Sequence, residues 1–170
     1  MLKNNFFTTS RLCFRQFELT DLDELSTLCA DAEVMTYVGD GNPLTQAQTE
    51  QWIINSRRNV VAHGYGTGAL LDNDSGRLIG WAGISRPDEG GEEIIYGFGR
   101  EHWGKGLGSE LLQGMIVWSQ HHLRLSQLRA TVDPCNQASI RLLLKHGFEL
   151  IEKGFEGDVD CDLYCLNMGG

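Results

Sequence analysis

The sequence predicts a single α/β layered domain over residues 1–170, and three observations carry the prediction. Segments that alternate apolar and polar residues interchange with segments whose apolar residues recur at helical spacing, in the order β, α, α, β, β, β, α, β, α, β, β. No repeat, low-complexity tract or long linker interrupts them, and Pro43, Pro87 and Pro134 each fall where an element should start or end. A chain of 170 residues with 41% hydrophobic content can bury one substantial core.

Residues 11–17 alternate like a half-buried strand, and Thr20 is placed to cap a helix whose stripe is Leu22, Leu25, Leu28 and Cys29. Pro43 breaks the chain before a second helix, where Thr45 and Gln48 have the spacing of a capping box and the helical segment runs to about Val61. Residues 65–71 and 77–85 read as a hairpin across the turn-rich stretch Asp72-Asn73-Asp74-Ser75-Gly76. A loop, 87–91, leads to a strand at 93–98, then to a glycine cluster and a helix carrying Leu107, Leu111, Met115 and Trp118. A short strand at 128–132 follows. Asn136 can cap a helix over 137–146, which Gly147 ends in the position that wants a left-handed residue. Strands at 148–152 and 159–167 close the chain.

Composition removes several function classes. No apolar run approaches the roughly 18 residues of a membrane span, and the first residues lack the pattern of a cleaved signal, so no membrane partner and a cytoplasmic location are expected. Cys13, Cys29, Cys135, Cys161 and Cys165 are odd in number and lack a Cys-x-x-Cys pair, which argues for free thiols rather than a disulfide framework or a zinc site. His63, His102, His121, His122 and His146 lack metal-ligand spacing, so no metal is expected, and His102 alone stands near the glycine cluster. The net charge of −9 speaks against nucleic acid as a partner; it would suit a cationic substrate, although such a balance also serves solubility.

The chemistry concentrates at Trp103-Gly104-Lys105-Gly106-Leu107-Gly108-Ser109, between a predicted strand and a predicted helix, where backbone N–H groups at a helix start can face an anion. Two nucleotide motifs compete for it. The phosphate loop of NTPases fits from Gly99 to Lys105, but Gly106 stands where the magnesium-holding hydroxyl belongs. The dinucleotide motif finds Gly104 and Gly106 in place but its third glycine, Gly108, one residue early. Taken alone, the segment also reads as a glycine-rich connection without a ligand.

With its context, the sequence resembles the GCN5-related N-acetyltransferases (GNAT), particularly the branch that modifies ribosomal-protein N-termini. The likeness lies in Ser10-Arg11-Leu12-Cys13-Phe14-Arg15-Gln16-Phe17, in Glu93-Ile94-Ile95-Tyr96-Gly97-Phe98, in Trp103 to Gly108, and in Asp133-Pro134-Cys135-Asn136-Gln137-Ala138-Ser139-Ile140 followed by Lys145-His146-Gly147-Phe148. The resemblance implies a mostly antiparallel mixed sheet of six to seven strands with about four helices, splayed between the fourth and fifth strands of the family. It implies acetyl-CoA as cosubstrate, with the pyrophosphate on the backbone of Gly104, Lys105, Gly106, Leu107, Gly108 and Ser109 and with Trp103 opening the motif. Asn136 matches an asparagine that contacts the pantetheine arm or the backbone near it and can equally be a plain helix cap; Ser139 likewise reads either as touching CoA or as facing the groove.

The acceptor implied is an amine: a peptide N-terminus, or alternatively an aminoglycoside or polyamine. Glu93 is the candidate general base, with Glu92 beside it, and a backbone N–H near Phe98 or Gly99 is expected to polarise the thioester carbonyl. A tyrosine that protonates the leaving thiolate in many members is replaced here by Leu143, which leaves open a CoA-binding module without catalysis; Tyr96 and Tyr164 are possible substitutes. Asp88, Glu89, Glu92, Glu93, Asp158, Asp160 and Asp162 could attract a cation or simply be solvated surface. Trp52, Tyr65 and Trp81 read as packing residues. The family implies a monomer or a homodimer.

Overall fold

The computed structural model of the protein describes residues 5–85 and 91–169. The strands are β1 (Asn5–Thr8), β2 (Leu12–Gln16), β3 (Thr67–Asp72), β4 (Leu78–Ser85), β5 (Glu93–Phe98), β6 (Gln127–Val132), β7 (Glu149–Glu152) and β8 (Asp162–Asn167). They are hydrogen-bonded in the order β1-β2-β3-β4-β5-β6-β8-β7. The helices are α1 (Leu22–Cys29), α2 (Ala32–Met35), α3 (Gln46–His63), α4 (Leu107–His121) and α5 (Gln137–Lys145). The chain clusters into two compact units, the residues through Ile84 with Ile95–Leu107, and Ser85–Ile94 with the residues from Gly108 onward.

In the first unit β1, β2, β3 and β4 form an antiparallel ladder with Phe14 opposite Leu70 and Ala69 opposite Trp81. Phe17, Leu25, Cys29, Met35, Ile53, Ala69 and Trp81 make its core. Trp52 stands edge-on to both Phe17 and Trp81 with centroids 5.6 Å away in each case, so Trp52 and Trp81 are packing residues. A Cβ on Gly97 would lie 2.2 Å from the Trp81 ring, so this indole fits across β5 only because position 97 has no side chain.

Local chemistry fixes the helix ends here. The Thr45 hydroxyl accepts the Gln48 N–H at 3.1 Å and the Gln48 carbonyl accepts the Thr45 N–H at 2.9 Å, which is the capping box expected from the spacing. Ahead of α1 the expected cap fails. The Thr20 hydroxyl points 3.4 Å from Glu18 Oε2, and it is Asp21 that organises the turn, accepting the Glu18 N–H at 2.7 Å. Asp21 also receives both terminal nitrogens of Arg15 at 2.9 Å, with side-chain exposures of only 7% and 14% for the pair. A planar two-point carboxylate–guanidinium pair thus outcompetes a lone hydroxyl for the helix start.

In the second unit β6, β8 and β7 are antiparallel, and β5 joins β6 in parallel at the pair Glu93 and Arg129, with the Arg129 N–H on the Glu92 carbonyl at 2.9 Å. Because β1 precedes the strands the sequence predicts, the family's fourth and fifth strands are β5 and β6 here. The described pairing between them is this one couple. Leu111, Leu112, Met115 and Trp118 of α4 and Leu143 of α5 are buried. The α5 helix ends on Gly147 at φ +90°, with the Gly147 N–H on Leu144 O at 3.1 Å and the Phe148 N–H on Leu143 O at 3.0 Å. This is the left-handed stop the sequence predicts.

Two elements depart from the expected order. The strand β1 adds to the sheet edge, with the Phe6 ring tilted and the Phe7 ring edge-on against Phe14 at centroid distances of 4.7 and 5.3 Å, and α2 is a four-residue helix capped by Asp31. Both are too short for periodicity to register. The last strand starts at Asp162 rather than 159, because the Asp158 carboxylate and carbonyl bind the Asp160 and Cys161 N–H groups and hold that stretch as a turn. The predicted loop 87–91, apart from Gly91, lies outside the described residues.

Candidate active site

The glycine turn is built between the end of β5 and the start of α4. A 3-10 turn, Arg100–His102, leads to Trp103, whose indole Nε1 donates to the Phe98 carbonyl at 2.9 Å. The side chain at the head of the motif therefore fastens the turn to the strand it leaves. Gly104 and Gly106 both take left-handed conformations, φ +72° and +78°, with Lys105 between them. A Cβ at Gly104 would meet nothing within 4 Å, so glycine is required there for its backbone angle and not for space. The Lys105 carbonyl accepts from Arg11 Nη1 at 2.9 Å. Helix α4 then begins at Leu107 and runs 15 residues, with the first N–H groups of Leu107, Gly108 and Ser109 at its positive end.

Ser109 has partners the sequence reading did not foresee. Its hydroxyl lies 2.8 Å from His146 Nε2 and accepts from Lys145 Nζ at 3.3 Å. Burial, with the neighbouring Lys145 charge, holds His146 below its ordinary value. His146, which the sequence did not place near the chemistry, thus reaches Ser109 in the first turn of α4. Asn136 Oδ1 accepts the Ser139 N–H at 3.3 Å, so Asn136 is a helix cap and Ser139 is tied to it.

Glu93 opens β5 half-buried, and its carboxylate accepts a hydrogen bond from the Thr131 hydroxyl on β6. Cys161 lies on the same side: burial pushes its thiol up, with Asp158 and Glu93 adding to the rise. Glu92 differs from its neighbour in offering its backbone carbonyl to Arg129, whose guanidinium lies 5.0 Å from the Phe155 ring centre. The Gly99 N–H is already given to Ile79 O at 3.0 Å, so of the two backbone donors expected near the thioester only that of Phe98 remains a candidate.

Several other expectations resolve into structure. Leu143 is 2% exposed, which makes the missing tyrosine a core position here. Tyr164 is buried, and that burial, with Asp162, pushes its phenol up, away from ready proton release. Asp162 is buried and accepts the Gly154 N–H at 3.1 Å, so it belongs to the fold, whereas Asp158 and Asp160 are exposed; Asp88 and Glu89 lie outside the described residues. Cys135 is exposed, but the Asp133 carboxylate beside it raises its thiol and makes it a poor nucleophile. Among the described residues no group of three His, Cys, Asp or Glu side chains is placed to hold a metal, and no helix is long and apolar enough to cross a membrane.

A family profile described as an acetyltransferase (GNAT) domain matches residues 11–149. The chain belongs to the GNAT acetyltransferases. It is 33% identical over 144 residues to the uncharacterized N-acetyltransferase p20 of Bacillus licheniformis, covering 83% of this chain and 80% of that protein. Among solved structures it superposes on an acetyltransferase from Agrobacterium tumefaciens with a TM-score of 0.82 at 21% identity, covering 95% and 94% of the two chains. It also superposes on RimL, a ribosomal L7/L12 α-N-protein acetyltransferase solved with coenzyme A disulfide-linked to one of its cysteines, with a TM-score of 0.79, 17% identity and coverage of 96% and 97%. The GNAT fold and an acyltransferase activity are thereby those of this chain.

Proposed function

We propose that this GNAT enzyme takes acetyl-CoA as donor and moves the acetyl group by direct attack of a primary amine, a protein N-terminus or a small-molecule amine. The observation that carries the reading is the pair of left-handed glycines, Gly104 and Gly106, leading into the 15-residue helix α4. Such a backbone presents successive N–H groups to one anion, and the pyrophosphate of CoA is the anion an acetyl donor brings. The backbone of Gly104, Lys105, Gly106, Leu107, Gly108 and Ser109 holds it, the Trp103 indole anchoring the turn from behind. Asn136, its carbonyl spent on the α5 cap, has its side-chain N–H group to offer the pantetheine arm, with Ser139 next to it.

Attack on the thioester needs a neutral amine and a donor for the developing oxyanion. For an amine of pKa about 10.4 the neutral form at pH 7 costs roughly 4 to 5 kcal/mol, against about 1 to 1.4 kcal/mol for an α-amine near 7.7 to 8.0. Glu93 takes the proton, directly or through water, and the Phe98 N–H faces the carbonyl oxygen. With a thiol pKa of about 8.5, the CoA thiolate leaves without a tyrosine in α5 and takes its proton from water.

Thermal stability measured with acetyl-CoA and with ATP-magnesium, followed by thiol release across α-amines, lysine peptides, polyamines and aminoglycosides, tests the reading. Stabilisation by acetyl-CoA and release with one amine class are expected. Stabilisation by ATP alone would sink it, and CoA binding without thiol release from any amine would favour a module without catalysis.

A further inference from the structure

We infer that Arg11 is a positioning residue for the donor's pyrophosphate, acting through the backbone of the glycine turn; the inference rests on the acetyl-CoA reading above. Arg11 lies 94 residues from Lys105 in sequence, yet its Nη1 donates to the Lys105 carbonyl at 2.9 Å, and its Nη2 stands 3.6 Å from where a Cβ on Gly106 would be.

The arginine is held on a fixed base. Its own carbonyl accepts the Asn73 N–H at 2.9 Å, and Asn73 Nδ2 donates to the carbonyls of Thr9 and Ser10 at 2.9 and 3.3 Å. The bend before β2 and the β3–β4 turn are thereby tied together, and the guanidinium extends from that knot to the cradle.

The peptide that Arg11 grips is the one most in need of a grip. The Lys105–Gly106 peptide has glycine on its C-terminal side, and because Gly106 at φ +78° carries no Cβ, rotation of the peptide plane about that φ meets little steric resistance. In a trans peptide the carbonyl and the following N–H point in opposite directions. Pinning the Lys105 oxygen toward Arg11 therefore aims the Gly106 N–H to the opposite side; a flipped peptide would present a carbonyl oxygen to the phosphate instead of a donor. The positive guanidinium also polarises the peptide it binds, strengthening that N–H as a donor to an anion.

The full-length enzyme tests this with two donors, acetyl-CoA and S-acetylpantetheine, which carries the thioester and arm but no pyrophosphate. Arg11→Ala should raise KM for acetyl-CoA about tenfold, the scale of one charge-assisted hydrogen bond, and reduce the preference for acetyl-CoA over S-acetylpantetheine by the same factor. Arg11→Lys, which keeps a cationic donor, should recover most of that preference. An undiminished preference in Arg11→Ala, or equal losses with both donors, overturns the inference. A wild-type enzyme that uses S-acetylpantetheine as well as acetyl-CoA overturns the pyrophosphate reading itself, a separate and distinguishable result.

Discussion

The Thr131 hydroxyl on β6 donates to the carboxylate of Glu93 at the start of β5, joining the candidate base to the strand beside its own. That bond fixes which way one carboxylate oxygen faces and leaves the other to take a proton. Glu93→Gln should lower kcat about 10²-fold for lysine-like amines and much less for α-amines, whose neutral form is cheaper. Thr131→Val should show the same amine dependence at smaller amplitude and Thr131→Ser should restore it; equal slowing across all amines would remove Glu93 from proton transfer.

Gly106 at φ +78° has room for a methyl group but not the right backbone angle for one. Gly106→Ala is expected to cost about 1 to 2 kcal/mol in the turn, seen as a weaker Kd for CoA by titration calorimetry with only a small fall in Tm. A large loss of Tm with unchanged CoA affinity would contradict it.

The Arg15–Asp21 pair is nearly excluded from solvent. Arg15→Met leaves a buried carboxylate without its cation and should destabilise the protein by about 3 kcal/mol, a Tm drop of roughly 6 to 12 °C; replacing both partners by apolar residues should recover much of it. Thermal denaturation of the two single variants and the double variant measures this coupling.

His146 is held below its ordinary value of 6.5 by burial and by Lys145. The unfolded chain then binds this proton more readily than the folded one, so this histidine's contribution to stability is intact above about pH 6.5 and falls as pH drops below it. Wild type should lose more Tm between pH 7.5 and pH 5.5, as an approximate window, than His146→Gln, which keeps a partner for Ser109. Parallel Tm curves would show that His146 carries no such linkage.

Local signals in the sequence were good guides to local structure. Thr45 and Gln48 form the box their spacing implies, Gly147 stops α5, and β5 has the bounds read for it, because each depends on residues a few positions apart. Thr20 misled because a carboxylate one residue on had a better partner in Arg15. The links of Arg11 to Lys105, Thr131 to Glu93 and His146 to Ser109 span tens of residues, and only the strand order and helix packing bring them together. The resemblance located the cradle; it did not say what holds it.

The Trp103 indole, hydrogen-bonded to Phe98 yet 49% exposed, gives the turn an optical character of its own. Trp81 and Trp118 are buried at 2% and 5%, and Trp52 is partly buried against Phe17 and Trp81, so Trp103 is the indole most open to solvent. Trp103 is therefore expected to supply the red, quencher-accessible share of the fluorescence, and a change in that share on titration with acetyl-CoA would report the donor's arrival without any label.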